Sequence, residues 1–279
     1  MSELLAPAKQ GRYAVGSFDI VNLETCRAVL ETAASLRSPV IIAIPEPFGE
    51  LCGFASLAAA IRELAAPLAI PVATILDHGR TYESCLRALR AGMTAVMFDG
   101  STLPLSENIA ITCEVVRAAH ALGVTVEGEV GHVGRGKQAA EEVVDTTRLT
   151  DPAEAVEFAR ATGVDALAVA VGTAHGLYRG TPHIDYDLLG RLAEAVDVPL
   201  VLHGGSSTGD ERLRQAVLGG ICKVNIFTDM SVKAVENMRA LLGKEGEGAT
   251  VLKLFGAAKA GFAEVSAHYM HLFGSVGRA

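Results

Sequence analysis

Asp77 and His78 stand side by side at the end of an apolar run, PVATILDH, from Pro71 to His78. A carboxylate next to an imidazole can move a proton beside a bound metal ion. Two further histidines close comparable runs: His175 in Gly172-Thr173-Ala174-His175-Gly176 and His203 in VLHGGS. A lone histidine at a strand end is more often a hydrogen-bonded rim residue than a ligand. Three at neighbouring rims beside a carboxylate match the needs of a catalytic zinc, three protein ligands and an open position. His78, His175 and His203 are therefore the candidate ligands and Asp77 the candidate acid/base. The other histidines, His120, His132, His183, His268 and His271, fall in helices or loops and read as surface or structural groups.

Phosphate binding is a second theme. Gly204-Gly205-Ser206-Ser207 and the stretch Asn225 to Thr228 follow two consecutive apolar runs. Barrels commonly hold a phosphate there with backbone N–H groups and hydroxyls. Gly176 and Arg179 would complete that cradle. Each loop alone reads as a tight turn; their convergence favours an anion. GHVGRG, Gly131 to Gly136, does not match the strand-to-helix dinucleotide fingerprint.

Positioning these groups requires a scaffold that sends many strand ends to one rim. Short β-rich runs occur at Val15 to Ile20, Pro39 to Ile44, Val72 to Asp77, Ala95 to Phe98, Thr125 to Glu129, Ala166 to Val171, Pro199 to His203 and Cys222 to Phe227. Helical-period segments alternate with them at Leu23 to Ser35, Ser56 to Ala66, Tyr82 to Ala91, Ser106 to Leu122, Pro152 to Thr162, Asp187 to Val196 and Asp210 to Leu218. Residues 230 to 272 predict two more helices broken at Gly243 to Gly248. Ser106 before Glu107, Asp151-Pro152, and Gly92, Gly123 and Gly163 mark helix ends. Such alternation implies parallel pairing with right-handed crossovers, an α/β fold and specifically a (β/α)8 barrel. No linker is long enough to separate a second domain, so the expectation is one domain over 1–279 with extra C-terminal helices.

Composition agrees. The chain has 279 residues, near the roughly 250 of a one-domain barrel. It is 50% hydrophobic but only 5% aromatic, which suits thin aliphatic strands under Ala-rich helices. A net charge of -8 argues against nucleic acid and for a soluble acidic enzyme. Five scattered cysteines without a C-x-x-C pair suggest neither a disulfide framework nor a thiolate metal site, and point to a reducing cytoplasm. No leader pattern and no run of about 18 apolar residues argues for export or membrane insertion.

ILDHG, TYESCLRALRAG, AVMFDGS, SENI, VEGEVGHVG, TGVDALAVAVGTAHGLY, LVLHGGS, KVNI and the terminal FGSVGRA together resemble the class II, zinc-dependent ketose-bisphosphate aldolases, the fructose- and tagatose-bisphosphate aldolase family. The resemblance runs from Val15 to Ala279. It implies zinc on His78, His175 and His203, with Asp77 as the proton-transferring group. It also implies a second or alternative divalent metal position at Asp99 and Glu129. Gly176, Gly204, Ser206, Asn225 and Thr228 would surround the dihydroxyacetone-phosphate end of the substrate. Members are usually dimers or tetramers, and some use a monovalent cation. The implied activity is a carbon–carbon lyase that makes or cleaves a ketose (bis)phosphate through a zinc-stabilised enediolate of dihydroxyacetone phosphate. No Schiff-base lysine is needed; Lys223 is the only lysine in a candidate strand. Other readings of the same barrel are a zinc isomerase or epimerase, an aldolase for an unphosphorylated sugar, and a non-catalytic sugar-binding relative.

Three departures from the family pattern lie on the substrate side. Phe18-Asp19 replaces the usual Phe-Asn, so Asp19 would face the substrate with a carboxylate. Ala43-Ile44-Pro45 replaces a Gln-x-Ser pattern, removing an amide and a hydroxyl. After strand five the family's Gly-Gly and acidic residues give way to Gly134-Arg135-Gly136-Lys137-Gln138, with Glu141 and Glu142 later. These departures leave two readings: metal chemistry with a substrate other than fructose 1,6-bisphosphate, or ordinary drift with fructose or tagatose bisphosphate still accepted.

Overall fold

The computed structural model describes residues 1–134, 148–176 and 182–279. Parallel strands β1 (Val15–Asp19), β2 (Val40–Pro45), β3 (Val72–Gly79), β4 (Ala95–Phe98), β5 (Thr125–Val130), β6 (Ala166–Val169), β7 (Leu200–Leu202) and β8 (Ile221–Ile226) close into a barrel in chain order. β1 pairs with both β2 and β8, which completes the ring. Around it run α1 (Ser2–Gly11), α2 (Leu23–Leu36), α3 (Glu46–Cys52), α4 (Phe54–Ala65), α5 (Tyr82–Arg90), α6 (Leu105–His120), α7 (Pro152–Thr162), α8 (Tyr186–Ala195), α9 (Asp210–Leu218), α10 (Thr228–Glu245) and α11 (Val251–Leu272). The expected α/β barrel is thus the observed fold.

The period-2 alternation of the strands sorts their side chains into two cores. Val40, Ile42 and Ile44 of β2 face the helices, with Leu167, Val169, Leu200 and Leu202 from β6 and β7. Ile41 and Ala43 face the barrel interior, with Val15, Ala73, Ile75, Ala95, Met97, Ala166, Ala168 and Val201. The inward positions nearer the carboxyl ends are polar instead: Ser17, Asp19, Asp77, Glu127, Glu129, His203, Lys223 and Asn225 are all buried. Parity, with a register slip on β8 for Lys223 and Asn225, therefore sets a polar upper layer over an apolar floor.

Two helices escape the sequence reading. α1 contains Pro7, a breaker signal, yet it forms because Leu5 and Ala8 pack into the interior core and the Ser2 N–H donates to Thr125 Oγ1 at 3.2 Å. It plugs the amino-terminal end of the barrel. α3 follows β2 directly, and its Pro47 lies in the first turn, where a missing N–H costs nothing. It brings Phe48 to 5.6 Å from Phe227, ring centre to ring centre.

Helix ends agree only in places. Asp151 caps α7, accepting from the Ala153 and Glu154 N–H groups at 2.8 and 3.2 Å. Gly92, Gly123 and Gly163 all have left-handed φ at helix ends. Ser106 is not a cap, because α6 starts at Leu105 after Pro104. Gly243 does not break the last pair either; α10 runs through it to Glu245, and a single 3-10 turn at Gly246–Gly248 makes the joint.

A candidate metal and acid/base centre

Consecutive strand residues ordinarily face opposite sides, so Asp77 and His78 cannot both reach the interior on a regular strand. Here the β3–β4 register slips between Leu76 and Gly79, and His78 takes a φ of 50°. A left-handed imidazole residue is an uncommon, strained conformation of the kind found at functional sites. Its effect is to bring both side chains of the pair to one rim.

The three predicted ligands converge there. His78 Nε2 lies 3.2 Å from His175 Nε2. The rings of His78 and His203 are 4.5 Å apart and those of His175 and His203 5.9 Å apart, centre to centre. Each offers a ligand nitrogen within 4.8 Å of the others. On His203, Nε2 is held by Glu127 Oε1 at 2.9 Å, and Nδ1 is buried without a hydrogen-bond partner. A carboxylate on one nitrogen puts the proton there and leaves the other lone pair free, as a metal-binding imidazole requires. His78 follows the same logic, with Asp99 Oδ2 2.8 Å from Nδ1 while Nε2 faces His175.

Asp99 and Glu129 form a second possible site. Together with His78 they offer ligand atoms within 4.8 Å of one another, on the Nδ1 edge of the ring. Glu129 Oε2 is buried without a hydrogen-bond partner, whereas Oε1 accepts from the Val133 N–H at 3.2 Å. Ser101 Oγ donates to Asp99 Oδ1 at 2.6 Å and lies 2.8 Å from His132 Nδ1, so His132 belongs to the support of this edge. Imidazole nitrogens with carboxylate oxygens suit a first-row divalent ion.

The electrostatics are those of packed, dry charges. Burial opposes the His78 imidazolium, but Asp77, Asp99 and Glu129 outweigh it and push its pKa up to about 10. Burial and then Asp99 raise the Glu129 carboxyl to about 8. Burial resists ionisation of Asp99, yet His78 and Ser101 hold its carboxyl below the usual range. Burial, then the neighbouring His78, drives the His203 imidazole well down. Burial, then Asp77, raises Asp19 well above an ordinary carboxyl.

Asp77 Oδ1 accepts from Asn225 Nδ2 at 2.9 Å and is 4.0 Å from His203 Nδ1. Asn225 Oδ1 and Asp19 Oδ1 are buried without hydrogen-bond partners in the same upper layer. Ala43 and Pro45 of β2 separate Asp19 from Asp77, through the pairs Asp19↔Ala43 and Pro45↔Asp77. The wall between the two carboxyls is thus apolar.

The predicted phosphate residues meet at the ends of β7 and β8. Ser206 Oγ accepts from the Phe227 and Asp229 N–H groups at 3.2 and 3.4 Å, which ties the two loops together. Thr228 opens α10, so the loop ends at a helix amino terminus. Gly204 has φ 67°, and a Cβ there would collide with the Ala174 carbonyl oxygen. Only glycine lets this loop lie against the one carrying His175. Gly176 follows His175 with φ 93°. Arg179 lies outside the described residues, as do Arg135, Lys137, Gln138, Glu141 and Glu142. The sequence places Asp229 at the end of strand eight but gives it no role; here it takes the Ser207 N–H and Oγ at 2.8 and 2.7 Å and the Tyr269 hydroxyl from α11. The sequence likewise sets Glu127-x-Glu129 at the end of strand five, without revealing that Glu127 holds His203.

The profile described as fructose-bisphosphate aldolase class-II matches residues 1–278. The chain is 40% identical to the fructose-bisphosphate aldolase of Thermus caldophilus over 99% of this chain and 98% of that protein. It is 36% identical to that of Geobacillus stearothermophilus over 100% and 98%. Among solved structures, the YdjI aldolase of Escherichia coli K12 superposes with a TM-score of 0.87 at 33% identity, covering 100% of this chain and 98% of that one. On the strength of the whole-length match and the barrel it shares with these relatives, the chain belongs to the class II fructose-bisphosphate aldolase family.

Proposed function

We propose that this aldolase uses zinc held by His78, His175 and His203 to cleave or form a ketose phosphate, with a substrate other than fructose 1,6-bisphosphate. The single observation that carries the reading is the buried Nδ1 of His203, without a hydrogen-bond partner and 4.0 Å from Asp77 Oδ1, beside the His78–His175 pair. When bound, the ion supplies Lewis-acid charge stabilisation at the substrate's ketone oxygen. Asp77 takes the proton from the hydroxyl on the carbon that becomes the aldehyde. As the carbon–carbon bond breaks, its electron pair stays with the ketone fragment, whose carbon takes a proton from solvent to give dihydroxyacetone phosphate while Asp77 releases its proton to solvent. Synthesis reverses these steps, with Asp77 returning the proton. Asn225 fixes the Asp77 carboxylate by its 2.9 Å hydrogen bond.

Gly176, Gly204, Ser206, Asn225 and Thr228 surround the phosphate-bearing end, with Arg179 assigned to it from the sequence. Asp99 and Glu129 hold the alternative metal position, and a monovalent cation belongs to the same reading by family resemblance. The altered substrate is supported by Asp19, Ala43 and Pro45. The buried Asp19 oxygen asks for a donor, and the two β2 residues offer none. Free thiols at all five cysteines support a cytoplasmic enzyme. Family resemblance supports a homodimer or homotetramer, which light scattering would test.

A coupled triose-phosphate assay across ketose mono- and bisphosphates, with and without chelator, tests the function. Chelator-sensitive release of triose phosphate is expected, with fructose 1,6-bisphosphate a poor member of the panel. Efficient cleavage of fructose 1,6-bisphosphate would sink the altered substrate, and zinc binding without cleavage of any member would sink the aldolase reading.

A further inference from the structure

Lys223 is a fully buried lysine in the middle of a barrel. Its Nζ donates to Glu127 Oε1 at 3.0 Å and lies 2.9 Å from Oε2, off the angle for a second hydrogen bond. Both side chains have no solvent exposure. Taking two charges out of water costs several kcal/mol each, and replacing such a pair by apolar residues is often neutral or stabilising. Fold stability alone therefore gives no reason to keep a lysine here.

The backbone is arranged to bring it in. β7 and β8 slip register between Leu200↔Ile221 and Val201↔Lys223. Cys222 belongs to the interior core, so regular alternation would turn Lys223 outward toward the helices. The slip instead pairs Lys223 with inward-facing Val201 and Val15. Alanines at 73, 95, 166 and 168 leave the interior wide enough for the long side chains.

The chain of contacts then reads directly toward the metal centre. His203 Nε2 and Lys223 Nζ meet the same oxygen, Glu127 Oε1. We infer that Lys223 is a positioning residue for the centre: it anchors Glu127 Oε1 as the acceptor of the His203 Nε2 proton, which leaves the Nδ1 lone pair open to a metal ion. The inference rests on the zinc reading above. Without Lys223 Nζ to hold Oε1, the Glu127 side chain is released to turn away from His203. The His203 proton can then sit on Nδ1, where it blocks a metal ion.

The test uses the full chain and zinc alone, with affinity measured by competition against a chromophoric chelator. Lys223→Met should weaken zinc binding by about 10- to 100-fold, the usual effect of losing an outer partner of a metal-bound histidine. The pair Lys223→Met with Glu127→Gln leaves no unpaired charge, so it serves if the single variant does not fold, and it should show a similar loss. A folded form of either variant that binds zinc as tightly as the wild type overturns the inference, since a lysine serving only the fold would alter thermal stability and not affinity. A 1H–15N spectrum of the zinc-free wild type, labelled on histidine, is the second reading. It should show the His203 proton on Nε2; a proton on Nδ1 overturns the inference. A wild type that binds no zinc removes the metal reading itself, which separates that failure from this one.

Discussion

Asn225 Nδ2 donates to Asp77 Oδ1 over 2.9 Å, joining the ends of β8 and β3 across the mouth of the barrel. Only one Asp77 oxygen is engaged by this bond, and the asparagine uses its donor end, leaving Oδ1 without a partner. The arrangement suits a carboxylate that must be held still yet accept a proton. Asp77→Asn should keep zinc bound and lose at least about 10²-fold in turnover, the lower bound for a positioned general base. Metal content and steady-state rate, measured on the same sample, check this; unchanged turnover refutes the assignment.

The metal-free protein should lose stability as the pH rises. The His78 pKa stands at about 10, above its ordinary 6.5, so its contribution is complete below pH 6.5 and disappears as the pH climbs through about 10. Glu129, raised from 4.5 to about 8, acts in the same direction because the folded chain holds its proton longer than the unfolded one. Asp99 has the opposite sign and acts only in acid, where its stabilisation is lost as pH falls. Thermal midpoints in chelator should therefore decline from about pH 7 to 10, and His78→Gln should remove most of that slope. A flat profile for the wild type would contradict the charge arrangement.

How much of this was legible in the sequence depends on the range of the interactions involved. Each strand announces itself through a few adjacent aliphatic residues, and parity alone marks Glu127 and Glu129 as inward. The convergence of Asp77 and His78 is different. Strict alternation would send them to opposite faces, and only the β3–β4 slip and the positive φ of His78 reunite them. Lys223 carried a faint signal as the only lysine in a candidate strand, but its partner Glu127 is 96 positions away. α1 was hidden by Pro7, because its stability comes from packing into the barrel rather than from helix propensity.

Tyr269 links the C-terminal helix to the loops after β7 and β8, since its hydroxyl donates to Asp229, which in turn holds Ser207 at φ 59°. A hydrogen bond to a charged group contributes about 1.5–3 kcal/mol. Tyr269→Phe should lower stability by about that amount. It should also raise KM for phosphorylated substrates while leaving zinc affinity unchanged. Denaturant melts and KM values on one preparation separate the two effects, and a KM equal to wild type would detach Tyr269 from the phosphate end.

Gly204→Ala should be more damaging than its size suggests. The added methyl group meets the Ala174 carbonyl, and φ 67° is strained for alanine, at a cost of about 1–3 kcal/mol. The clash pushes apart the two loops that carry His175 and His203, so zinc affinity should fall along with stability. Chelator competition on the folded fraction measures it; a destabilised variant with wild-type zinc affinity would show that the loop contact does not set the ligand geometry.

Asp19 offers the sharpest test of substrate choice. Its buried Oδ1 has no partner, and Ala43 and Pro45 beside it supply no donor, so a hydroxyl or ammonium of the bound substrate is the group that would satisfy it. Asp19→Asn keeps the shape and exchanges a carboxyl for an amide, which removes one acceptor oxygen. Losing a hydrogen bond of about 0.5–1.5 kcal/mol corresponds to roughly a two- to tenfold drop in kcat/KM for the preferred substrate. Activity toward fructose 1,6-bisphosphate should hold or rise, because the family pattern carries asparagine at this place. The ratio of the two kcat/KM values is the measurement. If both fall together, Asp19 supports the site as a whole and does not discriminate between substrates.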